Sequence, residues 1–237
     1  MLHLECGIVN NQLVIKMPLT QPASRKRRKE ARPGELLDAA LNLFVQKGYA
    51  ATRVDEVAKA AGVSKGTLFL YFPSKEELFK AVVRKNISER LATWQAEFEH
   101  FDGNTADMVR CALQQWWNSI GATEASGISK LVMTEASHFP EIASFYRQEV
   151  IEPGFALLRK IVERGISREE FEPIDLEYGV YGLVSPMIFL IMWKHGLSAC
   201  AHPISAIDPS VFVQRQTELL LSGLVRRPKT AADNPVK

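Results

Sequence analysis

Thr52-Arg53-Val54-Asp55-Glu56-Val57-Ala58-Lys59-Ala60-Ala61-Gly62-Val63-Ser64-Lys65-Gly66-Thr67-Leu68-Phe69-Leu70-Tyr71 holds two short amphipathic runs parted by one glycine. Thr52 to Asp55 is a capping-box variant, with a hydroxyl at the N-cap and a carboxylate three residues on. Val54, Val57, Ala58 and Ala61 then form a short apolar stripe. Gly62 breaks it, and Ser64 caps a second short helix holding Thr67, Leu68 and Tyr71. Such an order predicts a helix-turn-helix. Gly62 permits the turn, and the small Ala58 and Ala61 let the helices approach. Val63 and Leu68 anchor the second helix, leaving its other face free for a major groove about 12 Å wide.

Helical patterning extends in both directions. Upstream, Leu37, Ala40, Leu41 and Phe44 lie on one helix face, which Gly48 is placed to stop. Downstream, Pro73 ends the second short helix, and Ser74-Lys75-Glu76-Glu77 caps a further one continued by Leu78, Phe79, Val82 and Val83. Four helices thus fill residues 33–90. Beyond them, breaks fall near Asp102-Gly103-Asn104, Gly121 to Gly127, Phe139-Pro140, Glu172-Pro173 and His202 to Pro209. No period-two alternation is found, so an all-α fold is expected.

The net charge of +2 hides an asymmetry. Residues 17–90 carry 15 Lys and Arg against 8 Asp and Glu, a balance of +7, whereas residues 91–237 carry 13 against 18, or −5. A basic front on an acidic remainder suits a polyanion-binding module joined to something else. Three scattered cysteines, Cys6, Cys111 and Cys200, form no disulfide framework and fit a reducing compartment. The first 16 residues lack the pattern of a secretory signal, and Met17 offers an alternative start of translation. Tyr178 to Trp193 runs 16 residues without a charge, short of the roughly 20 that span a bilayer. A core or subunit-interface helix is expected there, and a cytoplasmic location for the chain. The expected organisation is a disordered extension over 1–24, a helix-turn-helix domain with a basic arm over 25–80, a larger helical domain over 81–225 and a disordered tail over 226–237.

Gly48-Tyr49-Ala50-Ala51-Thr52-Arg53-Val54, Val57-Ala58, Ala61-Gly62-Val63-Ser64-Lys65-Gly66-Thr67-Leu68-Phe69-Leu70-Tyr71-Phe72 and Ser74-Lys75-Glu76-Glu77-Leu78 together resemble the TetR/AcrR family of bacterial transcriptional regulators. The resemblance covers about residues 33–80. Phe69 stands where the family often has Tyr, so a phosphate-contacting hydroxyl is missing there. The resemblance implies an N-terminal three-helix domain and a larger helical domain that binds a small molecule and dimerises. It implies a homodimer on a palindromic double-stranded DNA operator, changing its DNA affinity with ligand. A repressor is expected; an activator, or a DNA-binding dimer without a ligand, is the alternative.

Side-chain chemistry assigns candidate roles. Thr52 and Ser64 stand at helix N-termini, where backbone N–H groups favour a phosphate; plain capping is the alternative. Lys65 and Thr67 begin the recognition helix and reach toward base edges or backbone, and Gly66 lets the backbone come near DNA. Phe69 and Leu70 either face a thymine methyl or pack inward. Tyr71 offers a phenol to a phosphate, and Lys75 is expected to clamp one. Residues 25–29, Arg-Lys-Arg-Arg-Lys, form either a solvated tail or a minor-groove arm.

Aromatic residues are abundant between 91 and 225, and such a set lines either a core or a mostly apolar pocket. Trp117, His138 and Tyr181 are the candidate ligand-binding residues for a largely apolar effector. Helices near 175–197 and 209–225 are the expected dimer interface, with Val211, Phe212, Leu219, Leu220 and Leu224 as its apolar face and Gly179 and Gly182 allowing close approach. No P-loop, dinucleotide fingerprint or HExxH occurs, so no enzyme activity, cofactor or catalytic residue is expected. His195, Cys200 and His202 match no strong zinc spacing, and no metal site is expected.

Overall fold

A computed structural model describes the backbone of residues 25–200 and 207–226, and the side chains of 33–198 and 207–226. The expectations for 1–24, for Cys6, Met17 and His202, and for most of the C-terminal tail lie outside the described residues. The chain divides into two units, Met1–Arg32 and Pro33–Lys237. Of the first unit only helical backbone from Arg25 is described, so the side chains of the basic run 25–29 are not. All packing below belongs to the second unit.

Helix α1 (Arg25–Ala51) buries Leu36, Ala40, Leu41 and Phe44 and is interrupted at Gly48, whose φ of 85° and ψ of 169° are not helical. Helix α2 (Val54–Ala60) ends in a Schellman turn. The Gly62 N–H bonds to the Lys59 carbonyl at 3.1 Å and the Val63 N–H to the Ala58 carbonyl at 2.9 Å. Gly62 takes φ 67°, a left-handed conformation that favours glycine. Helix α3 (Lys65–Tyr71) starts where the Ser64 hydroxyl accepts the Thr67 N–H, and α4 (Lys75–Val83) where the Ser74 hydroxyl accepts the Glu77 N–H. Phe72 between them is extended, as the residue before a proline should be.

The α4 helix does not stop near residue 80. It passes through a widened turn, Arg84–Ser88, into α5 (Glu89–Glu99) with helical dihedrals throughout. The residue 80 boundary expected from sequence therefore falls inside a continuous rod. Asn104 caps α6 (Thr105–Trp116), which runs into a second wide turn, Trp117–Gly121. Then come α7 (Ser126–Glu135), α8 (Pro140–Tyr146), a third wide turn at Arg147–Ile151, and α9 (Glu152–Ser167). Asp175 caps α10 (Leu176–His195) and Asp208 caps α11 (Pro209–Leu224). Among the described residues the breaks fall at the expected Gly, Pro and Asn clusters, and no strand forms. Arg164 secures the α5–α6 loop, donating to the carbonyls of Phe101 (3.1 Å) and Gly103 (2.7 Å) and to the Thr105 hydroxyl (2.8 Å).

Helix α10 is long and apolar enough by composition to cross a membrane, but core helices of soluble proteins pass the same test. It buries Val180, Leu183, Leu190 and Ile191 within the chain and leaves Tyr178, Tyr181, Ile188, Phe189 and Met192 exposed.

Candidate nucleic-acid interface and internal cavity

Helix α3 has one buried residue, Leu68, fully enclosed at 0 % exposure. Tyr71 and Phe72 pack partly against the same core, as does Val63. The rest of the helix faces outward. Ser64, Lys65, Gly66 and Phe69 are exposed, and Leu70 is 84 % exposed. The Lys65 ammonium lies 5.8 Å from the centre of the Phe69 ring. A Cβ at Gly66 would meet no atom nearer than the Ser64 hydroxyl at 3.8 Å. Nothing inside the chain requires glycine there, although glycine in a helix costs up to about 1 kcal/mol relative to alanine.

Two candidates are placed differently from expectation. Thr52 is not the N-cap of α2; Arg53 is, and no side chain caps that helix. The Thr52 side chain is 2 % exposed, and its hydroxyl faces the carbonyls of Gly48 (2.6 Å) and Leu43 (3.1 Å). It ties down the turn after α1 and presents nothing to a phosphate. Arg53, which sequence reading passed over, holds the exposed position with a guanidinium 3.2 Å from Asp55. Lys75 is no free clamp either. Its ammonium donates to the carbonyls of Tyr49 (2.9 Å) and Ala50 (3.2 Å) and lies 4.4 Å from the Tyr49 ring centre. Burial lowers its pKa, and the Glu135 charge partly offsets that. Ser64, Lys65, Gly66, Thr67 and Phe69 do gather on one turn and its flank, with Tyr71 half-buried at the far end.

A cavity of about 450 Å³ lies within the larger helical part. Ile87 and Leu91 reach it from the α4–α5 rod, Trp94 and Phe98 from α5, and Leu113 and Trp116 from α6. Val132, Met133 and Ala136 reach it from α7, Phe155 and Leu158 from α9, and Met187 and Ile191 from α10. The polar groups in its wall are few. Ser129 and Tyr146 share a 2.7 Å hydrogen bond, and Arg147 belongs to the exposed edge, paired with Glu152. Burial pushes the Tyr146 phenol up to about 12, against the opposing pull of the Ser129 bond, so that pair stays neutral. Trp117, His138 and Tyr181 do not line this space. Trp117 is buried outside this lining, about 100° of helix round from Trp116. His138 is exposed with Nδ1 3.3 Å from the Ser137 hydroxyl. Tyr181 stands one ring outside, edge-on to Phe155 at 5.3 Å, on the exposed face of α10.

That face continues onto α11 through Val211 and Leu219, with Phe212 stacked on Phe189 at 5.2 Å. Gly182 faces open space toward Leu220 (4.0 Å), whereas a Cβ at Gly179 would press on the end of the Ile174 side chain, which would have to turn aside. Of the trio His195, Cys200 and His202, only the His195 side chain is described. Its Nε2 is 2.8 Å from the buried Ser126 hydroxyl, beside Lys194, which also donates to the carbonyls of Gly121 (3.0 Å) and Thr123 (2.7 Å).

An exposed second helix set on a left-handed glycine turn, carried by a body that is helical among the described residues, has the geometry of a helix-turn-helix. Residues 36–82 match the family described as bacterial regulatory proteins, tetR family. Over 166 residues the chain is 27 % identical to the uncharacterized HTH-type transcriptional regulator YfiR of Bacillus subtilis, spanning 65 % of this chain and 75 % of YfiR. Over 77 residues it is 44 % identical to the HTH-type transcriptional regulator RutR of Escherichia coli, spanning 32 % of this chain and 36 % of RutR. Its fold is similar to that of the regulator FadR from Bacillus subtilis, solved in complex with stearoyl-CoA, at a TM-score of 0.63 and 17 % identity, over 80 % of this chain and 98 % of FadR. The likeness to the tetR family of regulators is thus carried by residues 36–82 and by the curated regulators that the chain matches.

Proposed function

We propose that the chain is a ligand-responsive repressor that binds a palindromic operator as a homodimer and lets go when a hydrocarbon-rich small molecule enters the cavity. One observation carries this reading: an apolar cavity of about 450 Å³, within the range of small-molecule sites, is lined by the same helical rod that leaves the DNA-reading head. The walls suit a hydrocarbon body, with a neutral hydroxyl pair inside and a guanidinium at the edge for a polar or anionic end. The stearoyl-CoA of the FadR neighbour supports an acyl chain as that body. In this reading α3 carries the operator contacts through Ser64, Lys65, Gly66, Thr67 and Phe69, with Tyr71 at its end and Arg53 at the start of α2. The exposed apolar face of α10 and α11 supports a second copy as its cover; in this reading each copy's head takes one of two half-sites about 34–36 Å apart.

Repression follows if the dimer occludes its promoter, with no further partner required. The test combines two readouts on the full chain. Thermal shift against a series of saturated fatty acids is expected to show stabilisation that grows with chain length up to a cut-off set by the cavity. A reporter driven by the chain's own upstream promoter is expected to rise when the gene is deleted. A fall in the reporter would mean activation, and a flat thermal shift across the series would reject the acyl-chain effector.

A further inference from the structure

Glu135 closes α7 with its carboxylate on the backbone of a distant element. It accepts the N–H groups of Tyr49 at 2.8 Å and Ala50 at 3.0 Å. These amides need an outside acceptor because Gly48, at φ 85°, breaks the helical ladder just before them. The positive φ favours glycine there, and a Cβ would push the Glu135 carboxylate away from these amides. The carbonyls of the same two residues accept from Lys75 on α4. Tyr49 and Ala50 are thus held on their N–H side from α7 and on their C=O side from α4. The Tyr49 ring adds a T-shaped contact to Phe139, just past α7, at 4.9 Å.

The cavity touches the other side of the same α7 turn. Val132, Met133 and Ala136 line it, and Glu135 sits among them in sequence. We propose that Glu135 is a positioning residue that couples cavity occupancy to the DNA-reading head: filling the cavity displaces the last turn of α7 and releases the N–H groups of Tyr49 and Ala50. This rests on the reading of the cavity as the effector site. A hydrogen bond is lost beyond roughly 3.5 Å, so a shift of about 0.7 Å is enough to break both. Freed of that carboxylate, the end of α1 and the α2–α3 unit that follows it gain a second arrangement, which is what a two-state regulator needs.

The test reads amide hydrogen exchange at Tyr49 and Ala50 in the full chain without DNA. The cavity is filled in two ways. Gly154→Phe fills it from within, because Gly154 lines the cavity and a Cβ there meets no atom within 4 Å. Dodecanoate fills it from solution, with the fluorescence of Trp94 and Trp116 reporting its entry. Either filler is expected to speed exchange of both amides at least about tenfold, the scale of losing a bond to a charged group. In Glu135→Ala, which removes both acceptor oxygens, the same amides are expected to exchange fast already, and a filler is expected to add less than about twofold. Slow exchange persisting in Gly154→Phe overturns the coupling. So does a full acceleration by fillers on top of the Glu135→Ala baseline. If dodecanoate stays out while Gly154→Phe still releases both amides, the acyl-chain reading fails and the Glu135 coupling stands.

Discussion

Gly48→Ala and Gly154→Ala are the same chemical change, and the structure assigns them opposite signs. At Gly48 the backbone sits at φ 85° and ψ 169°, a region that side chains rarely adopt, at a cost of about 1–3 kcal/mol. The added methyl also displaces the Glu135 carboxylate, which accepts two backbone N–H groups. Losing even one such bond to a charged group costs about 1.5–3 kcal/mol. The sum, roughly 2.5–6 kcal/mol, corresponds to a fall in Tm of roughly 5–24 °C for a chain of this size. Gly154 is helical and its Cβ would meet open space, so alanine there gains about 0.5–1 kcal/mol and raises Tm by a few degrees. Thermal unfolding followed by circular dichroism measures both. A Gly48→Ala variant within about 2 °C of the parent would refute the reasoning, because neither the strain nor the carboxylate contact would then be real.

Three further outcomes are expected. Gly66→Ala leaves Tm unchanged or slightly higher, because a Cβ there has room, yet weakens promoter binding at least about tenfold if the backbone must approach DNA; calorimetry and fluorescence anisotropy separate the two effects. Lys75→Met lowers stability by about 1–3 kcal/mol by removing the ammonium from the Tyr49 and Ala50 carbonyls, which a urea titration reads. Burial and then the neighbouring Lys194 charge hold the His195 pKa below 6.5. The unfolded chain therefore takes up that proton first, and stability declines as pH falls below about 6.5. In His195→Gln that share of the acid sensitivity of Tm is expected to vanish.

Local chemistry made the reading head legible. Ser64 and Ser74 are caps by residue type, Gly62 is a left-handed turn by residue type, and Leu68 falls at the fully buried position of α3. The helix breaks likewise follow Gly, Pro and Asn. What failed depended on partners far away in sequence or on a single step of rotation. Thr52 and Arg53 are neighbours, and only the fold decides that the hydroxyl turns inward to Gly48 and Leu43 while Arg53 takes the cap. The Lys75 and Glu135 contacts with Tyr49 span 26 and 86 residues, beyond any local pattern. Trp116 and Trp117 differ by about 100° of helix, which separates cavity wall from core. A signal was present: Ala112, Leu113, Trp116 and Ile120 recur at helical spacing and all line the cavity. Tyr181 has a ring suited to such a site, but one aromatic, Phe155, stands between it and the space.

The exposed α3 helix as a reader of duplex DNA is tested most directly by titrating the chain onto its own upstream promoter across a range of salt concentrations. Tight binding at low salt is expected, with log affinity falling linearly against log salt and with clear preference over unrelated DNA of equal length. No retardation of that promoter at low ionic strength, or equal affinity for unrelated DNA at every salt concentration, would contradict it.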